Sequence, residues 1–134
     1  VSELFEPVAH ERGLAFAAAA ARDLPPVECD SDRAVQVMAN LIQNAIKVTP
    51  SGGSIEVGAA PDAERVVFFV RDTGPGIEPA DLPKVFERTW RGAATAYRGS
   101  GLGLSIARGI VDAHGGQIWA ESQVGVGSTF YFSL

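Results

Sequence analysis

The sequence is short of cysteine, of histidine, of net positive charge and of long apolar runs. One cysteine, Cys29, can form no internal disulfide, a usage that points to a reducing compartment. Two histidines, His10 and His114, are all that is available for imidazole chemistry. With 11 Lys and Arg against 16 Asp and Glu the formal charge is −5, which argues against a nucleic-acid surface while leaving room for a local basic pocket for phosphate. A membrane-spanning helix needs about 20 consecutive apolar residues, and the Ala-rich run from Ala15 to Ala21 stops at Arg22-Asp23. There is no secretory leader pattern. The chain starts at Val1 without an initiator Met, and we read it as a piece of a longer protein.

What is present fits one ordinary domain. The 134 residues suffice for a single core, and 46% hydrophobic with 20% charged residues is the balance of a globular chain. The spacing of Leu4, Phe5, Val8 and Ala9 predicts a short helix over Ser2 to Arg12, ended by Gly13. Leu14 to Ala20 can be a strand. A long helix is expected from about Asp30 to Val48, before Thr49-Pro50 and Gly52-Gly53 break it, with Val35, Met38, Ala39, Ile42, Ala45 and Ile46 as its apolar stripe. Ser54 to Ala60 and Arg65 to Asp72 read as an antiparallel pair joined by a turn over residues 61–64. A helical turn follows Glu78-Pro79. The Gly- and Ala-rich stretch 92–101 suits a mobile loop. A helix is expected from Gly103 to His114, with Leu104, Ile106, Ala107, Ile110 and Val111 on its apolar face, then closing strands over Gln117 to Ser122 and Ser128 to Leu134.

Three stretches carry candidate chemistry. On the long helix, Asn40, Asn44 and Lys47 stand at i, i+4 and i+7 and so share one face, spread over roughly 60°. Asn is a weak helix former, so a plain solvated face is a poor explanation of the pair. A carboxamide oxygen is a hard ligand for magnesium and a Lys is a point charge for phosphate. Second, alternation puts Asp72 on the same side of its strand as Val66, Phe68 and Val70. A carboxylate on an apolar face needs a hydrogen-bond donor, either the exocyclic amine of a purine or a neighbouring backbone N–H. Third, Gly99-Ser100-Gly101-Leu102-Gly103-Leu104 leads into a helix, whose N-terminus favours anions. It is not a phosphate loop of the Lys-Ser/Thr type, and its spacing is not that of a dinucleotide fingerprint.

In this order the stretches resemble the catalytic and ATP-binding domain of sensor histidine kinases, a branch of the ATPase superfamily shared with gyrase, heat-shock chaperones and mismatch-repair proteins. Asn40 to Lys47 resembles the N box, Asp72 to Ile77 the first glycine box, and Val85-Phe86-Glu87-Arg88 the F box. Gly99 to Ile106 resembles the second glycine box, and Gly125 to Phe130 the closing glycine-hydroxyl strand. The resemblance covers essentially the whole chain, as one catalytic domain over residues 1–134. It implies a two-layer α+β sandwich, with a mixed, mainly antiparallel sheet of about five strands and helices on one face.

The resemblance also implies roles. Asp72 accepts a hydrogen bond from the adenine amine, and Gly74, Gly76 and Ile77 shape the adenine pocket. Asn44 coordinates the magnesium that bridges the phosphates, with Asn40 beside it. Lys47 and Arg88 touch phosphates. Arg91 to Ser100 form a lid, and Gly101 to Leu104 wrap the phosphates, with Gly99 and Ser100 leading into them. Of the closing hydroxyls, Ser128 is placed at the adenine end, because alternation puts it on the face of Phe130 and Phe132. ATP and magnesium are thus the implied cofactors. The implied partners are the dimerising phosphoacceptor hairpin of the same parent protein and a downstream response regulator. The implied location is cytoplasmic, in a parent that can be membrane-anchored, with no direct membrane contact from this piece.

Two departures and two rivals accompany the resemblance. Val48 stands where the family often has an aromatic residue to stack on the base, a loss of about a kilocalorie by analogy with aromatic packing. Neither His10 nor His114 lies in a phosphoacceptor hairpin, so the accepting imidazole is expected elsewhere. Hydrolysing relatives carry a Glu one turn before the magnesium Asn, whereas this chain has Asn40, and an amide cannot serve as a general base. The rivals are an anti-sigma-factor type of serine kinase and a non-catalytic ATP-binding module. The full F box and second glycine box favour the histidine kinase over the first, and Val48 is the one feature that points to the second.

Overall fold

The computed structural model describes residues 2–20, 31–63, 65–87 and 102–134. Its elements run α1 (Ser2–Glu11), β1 (Ala15–Ala20), α2 (Ser31–Val48), β2 (Ser54–Asp62), β3 (Arg65–Asp72), a 3₁₀ turn (Leu82–Lys84), α3 (Leu102–Ala113), β4 (Gln117–Gln123) and β5 (Gly127–Ser133). The five strands form one sheet in the order β1-β2-β3-β5-β4. Among the described residues only β1 and β2 pair in parallel. That pairing follows from the intervening helix: two parallel neighbours need a crossover, and α2 supplies it. The expected mixed, mainly antiparallel sheet with helices is the fold observed.

One face of the sheet carries the core. Ile55 and Val57 of β2, Val66 and Val70 of β3, and Phe130 and Phe132 of β5 are buried. Phe68 stacks on Phe132 with ring centroids 4.9 Å apart. Val37, Leu41, Ile42 and Ala45 of α2 join the same core as Leu104, Ala107 and Val111 of α3, and Ala9 of α1. Each fully buried aliphatic or aromatic side chain stabilises the fold by about 1.5–3 kcal/mol. The opposite face is polar and aromatic: Trp119 stacks on Tyr131 at 5.3 Å, and Arg71 pairs with Glu56 at 3.0 Å.

The structure corrects several expectations. The apolar stripe of α2 is rotated: Val35 is 47% exposed, while Val37 and Leu41 are fully buried. Residues 37, 38, 41, 42, 45 and 46 form the i, i+1, i+4 ridge that faces the sheet and α3. On α3, Ile106 is likewise exposed, and Leu104, Ala107 and Val111 face inward at i, i+3 and i+7. The turn expected over residues 61–64 is tighter, because Pro61 and Asp62 continue β2 and pair with Val66 and Arg65. Ala63 takes a φ of 56° to turn the chain there. Pro61 is tolerated at this end of the ladder, although proline supplies no N–H.

Candidate functional site

The site is built where β3 ends. Asp72 is the last residue of β3, opposite Ile55 on one side and Ser128 on the other. Its side chain is 2% exposed, as is that of Ser128. Asp72 Oδ1 accepts the N–H of Gly74 at 2.9 Å, which folds the glycine turn back over the strand end. Burial pushes the carboxyl up from 3.8 to about 6, against the pull of the Gly74 and Ser128 backbone N–H groups. Asp72 Oδ2 is buried and has no hydrogen-bond partner among the described residues.

The glycine turn is held from two sides. A Cβ on Gly74 would stand 2.9 Å from Asp72 Oδ1 and 3.1 Å from Val48 O, so the end of α2 sits directly against it. Val48 itself is 3% exposed and packs in the core. Gly76 has a φ of 79°, and a Cβ there would run into the backbone of Gln123 and Val124. Gly76 therefore packs the turn onto the β4–β5 hairpin. Gly125 N–H donates to Pro75 O at 2.9 Å, and Ile77 N–H donates to Ser122 Oγ at 2.7 Å. Ser122 Oγ lies 2.8 Å from Ser128 Oγ and 3.1 Å from Gly127 O. Ser122 escaped the sequence reading. The turn Gly125-Val126-Gly127 was visible, and a hairpin closed there sets Ser122 opposite Ser128, as the register shows.

The second part of the site lies on α2. Asn40 and Asn44 are half-buried, and their Nδ2 groups are buried without a partner among the described residues. A buried unpartnered amide costs about 1–3 kcal/mol. Two of them one turn apart on one helix are an unmet demand for a polar ligand. The N–H groups suit phosphate oxygens, and the oxygen of either carboxamide, turned about its terminal bond, suits a hard divalent cation. Lys47, one turn further on, is exposed. Among the described residues no group of three His, Cys, Asp or Glu side chains could hold a metal.

Of the remaining candidates, Ile77 is buried between the glycine turn and the core, and Gly103 is half-buried with open space where a Cβ would stand. Leu102 is the first residue of α3. Leu104 is 3% exposed, so its side chain is committed to the core, and only its backbone is left for a ligand. From the F box, Val85 is fully buried and Phe86 packs edge-on against Phe130 at 6.1 Å. Arg88, Gly99, Ser100 and Gly101 lie outside the described residues, as do Trp90, Tyr97 and the expected lid. His10 is exposed, and His114 Nδ1 lies 2.8 Å from Ile110 O, where it caps the last turn of α3.

Comparison with known proteins gives one consistent answer. Residues 29–134 match the family described as histidine kinase-, DNA gyrase B-, and HSP90-like ATPase. The chain is 44% identical over 136 residues to the adaptive-response sensory kinase SasA of Synechococcus sp., all of this chain aligning with 36% of that protein. It therefore spans little more than a third of that relative's length. Full-length ShkA, solved in complex with AMPPNP, is 35% identical with a TM-score of 0.86, covering 98% of this chain and 27% of ShkA. The catalytic domain of histidine kinase ThkA is 34% identical with a TM-score of 0.85, covering 98% of this chain and 86% of that domain. ThkA has also been solved in complex with the response regulator protein TrrA. Sequence and fold agree, and the chain belongs to the histidine kinase-, gyrase B- and HSP90-like ATPase family as an ATP-binding domain of the sensor histidine kinase type.

Proposed function

We propose that this chain, as one domain over residues 1–134, holds ATP with magnesium and presents its γ-phosphate to a histidine on a separate dimerising hairpin of the parent protein. The observation that carries the proposal is the set of buried polar groups without a partner among the described residues: the acceptor Asp72 Oδ2 and the amides of Asn40 and Asn44. The first is complementary to the amine of adenine. The Nδ2 groups of the other two are complementary to phosphate oxygens, and their carboxamide oxygens, turned about the terminal bond, to a hard cation.

In this reading Asp72 fixes the base, with Ser128 beside it and the Gly74–Ile77 turn as the pocket wall. Asn44 ligates the cation, Asn40 steadies the phosphates, and Lys47 and Arg88 neutralise them. Gly101 to Leu104 are assigned to wrap the phosphates, with Gly99 and Ser100 leading into them. Magnesium, when bound, draws charge from the phosphate oxygens and holds the chain of phosphates in one conformation. What remains is positioning, as is general for phosphoryl transfer. The bond from the γ-phosphorus to the β–γ bridging oxygen breaks while a bond to the incoming imidazole nitrogen forms, and ADP leaves. Asn40 cannot deprotonate water, so ATP is kept for the imidazole. By analogy with the ThkA complex, the phosphohistidine then serves a response regulator in the cytoplasm.

The test is transfer in trans. With γ-labelled ATP, label is expected on the parent's histidine hairpin only when hairpin and this chain are mixed, with little free phosphate from the chain alone. Label on the chain itself, or steady phosphate release, contradicts the proposal.

A further inference from the structure

We propose that Ser122 sets the choice between an amino-purine and an oxo-purine nucleotide, by fixing the direction of the Ser128 hydroxyl. The inference rests on the nucleotide reading above and adds to it a positioning residue. Three contacts meet at Ser122 Oγ: Ile77 N–H at 2.7 Å, Gly127 O at 3.1 Å and Ser128 Oγ at 2.8 Å. The two hydroxyls share two protons. A carbonyl only accepts, so the Ser122 proton goes to Gly127 O. The contact between the hydroxyls must then use the Ser128 proton. The one carboxylate oxygen that could compete for it, Asp72 Oδ2, has no partner among the described residues.

The consequence concerns what the pocket offers a ligand. With its proton held by Ser122, Ser128 Oγ presents lone pairs only. Asp72 Oδ2, on the residue paired with Ser128 across the strands, is also an acceptor when ionised. Two acceptors on residues paired across the strands match an exocyclic amine, which carries two N–H bonds. They oppose an oxo group at the same ring position, which would face them with another acceptor. A site that leaves a polar group mispaired rejects a ligand far more strongly than one that merely fits it loosely. A free Ser128 hydroxyl would rotate and donate to the oxo group. Ser122 removes that freedom, and its bond to Ile77 N–H ties the same lock to the glycine turn.

The experiment compares ATP with inosine triphosphate, which carries an oxo group at this ring position and, with it, a proton on N1, by calorimetric titration into the 134-residue chain. The N1 difference is common to all variants and cancels when their ATP preferences are compared. Ser122→Ala is expected to lower the preference for ATP by roughly fivefold, the size of one neutral hydrogen bond. Ser122→Thr, which keeps the hydroxyl, should restore it. In a Ser128→Ala background the further change Ser122→Ala should leave the preference unmoved, because the effect passes through Ser128. A loosened turn alone would weaken both nucleotides equally, and an unchanged ratio in Ser122→Ala overturns the inference while the nucleotide site stands. No binding of either nucleotide by the unsubstituted chain overturns both. If Ser122→Ala does not fold, Ser128→Ala decides: an acceptor-only hydroxyl predicts weaker ATP binding with inosine triphosphate unchanged or improved, and the opposite pattern overturns the assignment.

Discussion

Asp72 and Ser128 face each other across β3 and β5, and each is only 2% exposed. A carboxylate and a hydroxyl are thereby sealed into the same stratum of the sheet as Val70 and Phe130, the next pair along. Nothing in the packing of the core asks for them. The fold bears their desolvation, a cost that the proposed nucleotide site explains.

That cost has a sign and a pH window. Folded Asp72 titrates at about 6 against 3.8 ordinarily, so it holds its proton more tightly folded than unfolded. Its contribution to stability is complete below pH 3.8 and is lost as the pH rises through about 6. The loss is on the order of 3 kcal/mol at about 1.4 kcal/mol per pH unit. Asp72→Asn, without nucleotide, should therefore raise Tm at pH 8 and lose that advantage by pH 4. Thermal unfolding across this range checks it; a pH-independent difference between the two proteins contradicts the account.

Ligand binding runs the other way. An amine donor needs the ionised carboxylate, so ATP affinity should fall towards tenfold per pH unit below about pH 6. The phosphates of ATP titrate nearby, and Asp72→Asn supplies the control: its residual affinity should lack the Asp72 component. At pH 8 the same substitution should weaken ATP binding by about 1.5–3 kcal/mol, the worth of a hydrogen bond to a charged group. Titrations at pH 5, 6, 7 and 8 separate the two curves, and parallel curves would refute the assignment of Asp72.

Gly76 is a packing position as much as a pocket position. Its φ of 79° is costly for any residue with a Cβ, and that Cβ would strike the backbone of Gln123 and Val124. Gly76→Ala should destabilise the chain by about 2 kcal/mol or more and loosen the bond from Gly125 N–H to Pro75 O. Denaturant unfolding reads the first. An unchanged midpoint would mean that the turn is not clamped to the hairpin.

Much of this was legible in the residues, and the failures have physical causes. The alternation of Val66, Phe68, Val70 and Asp72 gave the buried carboxylate directly, because a strand has a period of two and one residue of error would have turned it outward. The helix stripe was less secure. Val35 and Val37 are equally apolar, and only contact with the sheet and α3 decides that Val37 goes in. The amides of Asn40 and Asn44 signalled a functional face by their poor fit to a helix, yet their burial without partners depends on neighbours distant in sequence. Strand order was not legible, since β5 inserts between β3 and β4. Ser122 was within reach only through the hairpin register.

The proposed magnesium–ATP site has Asp72 at one end and Asn44 at the other. Its most direct measurement is calorimetric titration of ATP into the chain, first with magnesium and then with a chelator, repeated with Asn44→Ala. The account predicts binding that weakens about tenfold or more on chelation in the unsubstituted chain, as expected of a cation-bridged phosphate, and little response to chelation in Asn44→Ala. Binding of equal strength in both buffers, or none in either, would contradict it.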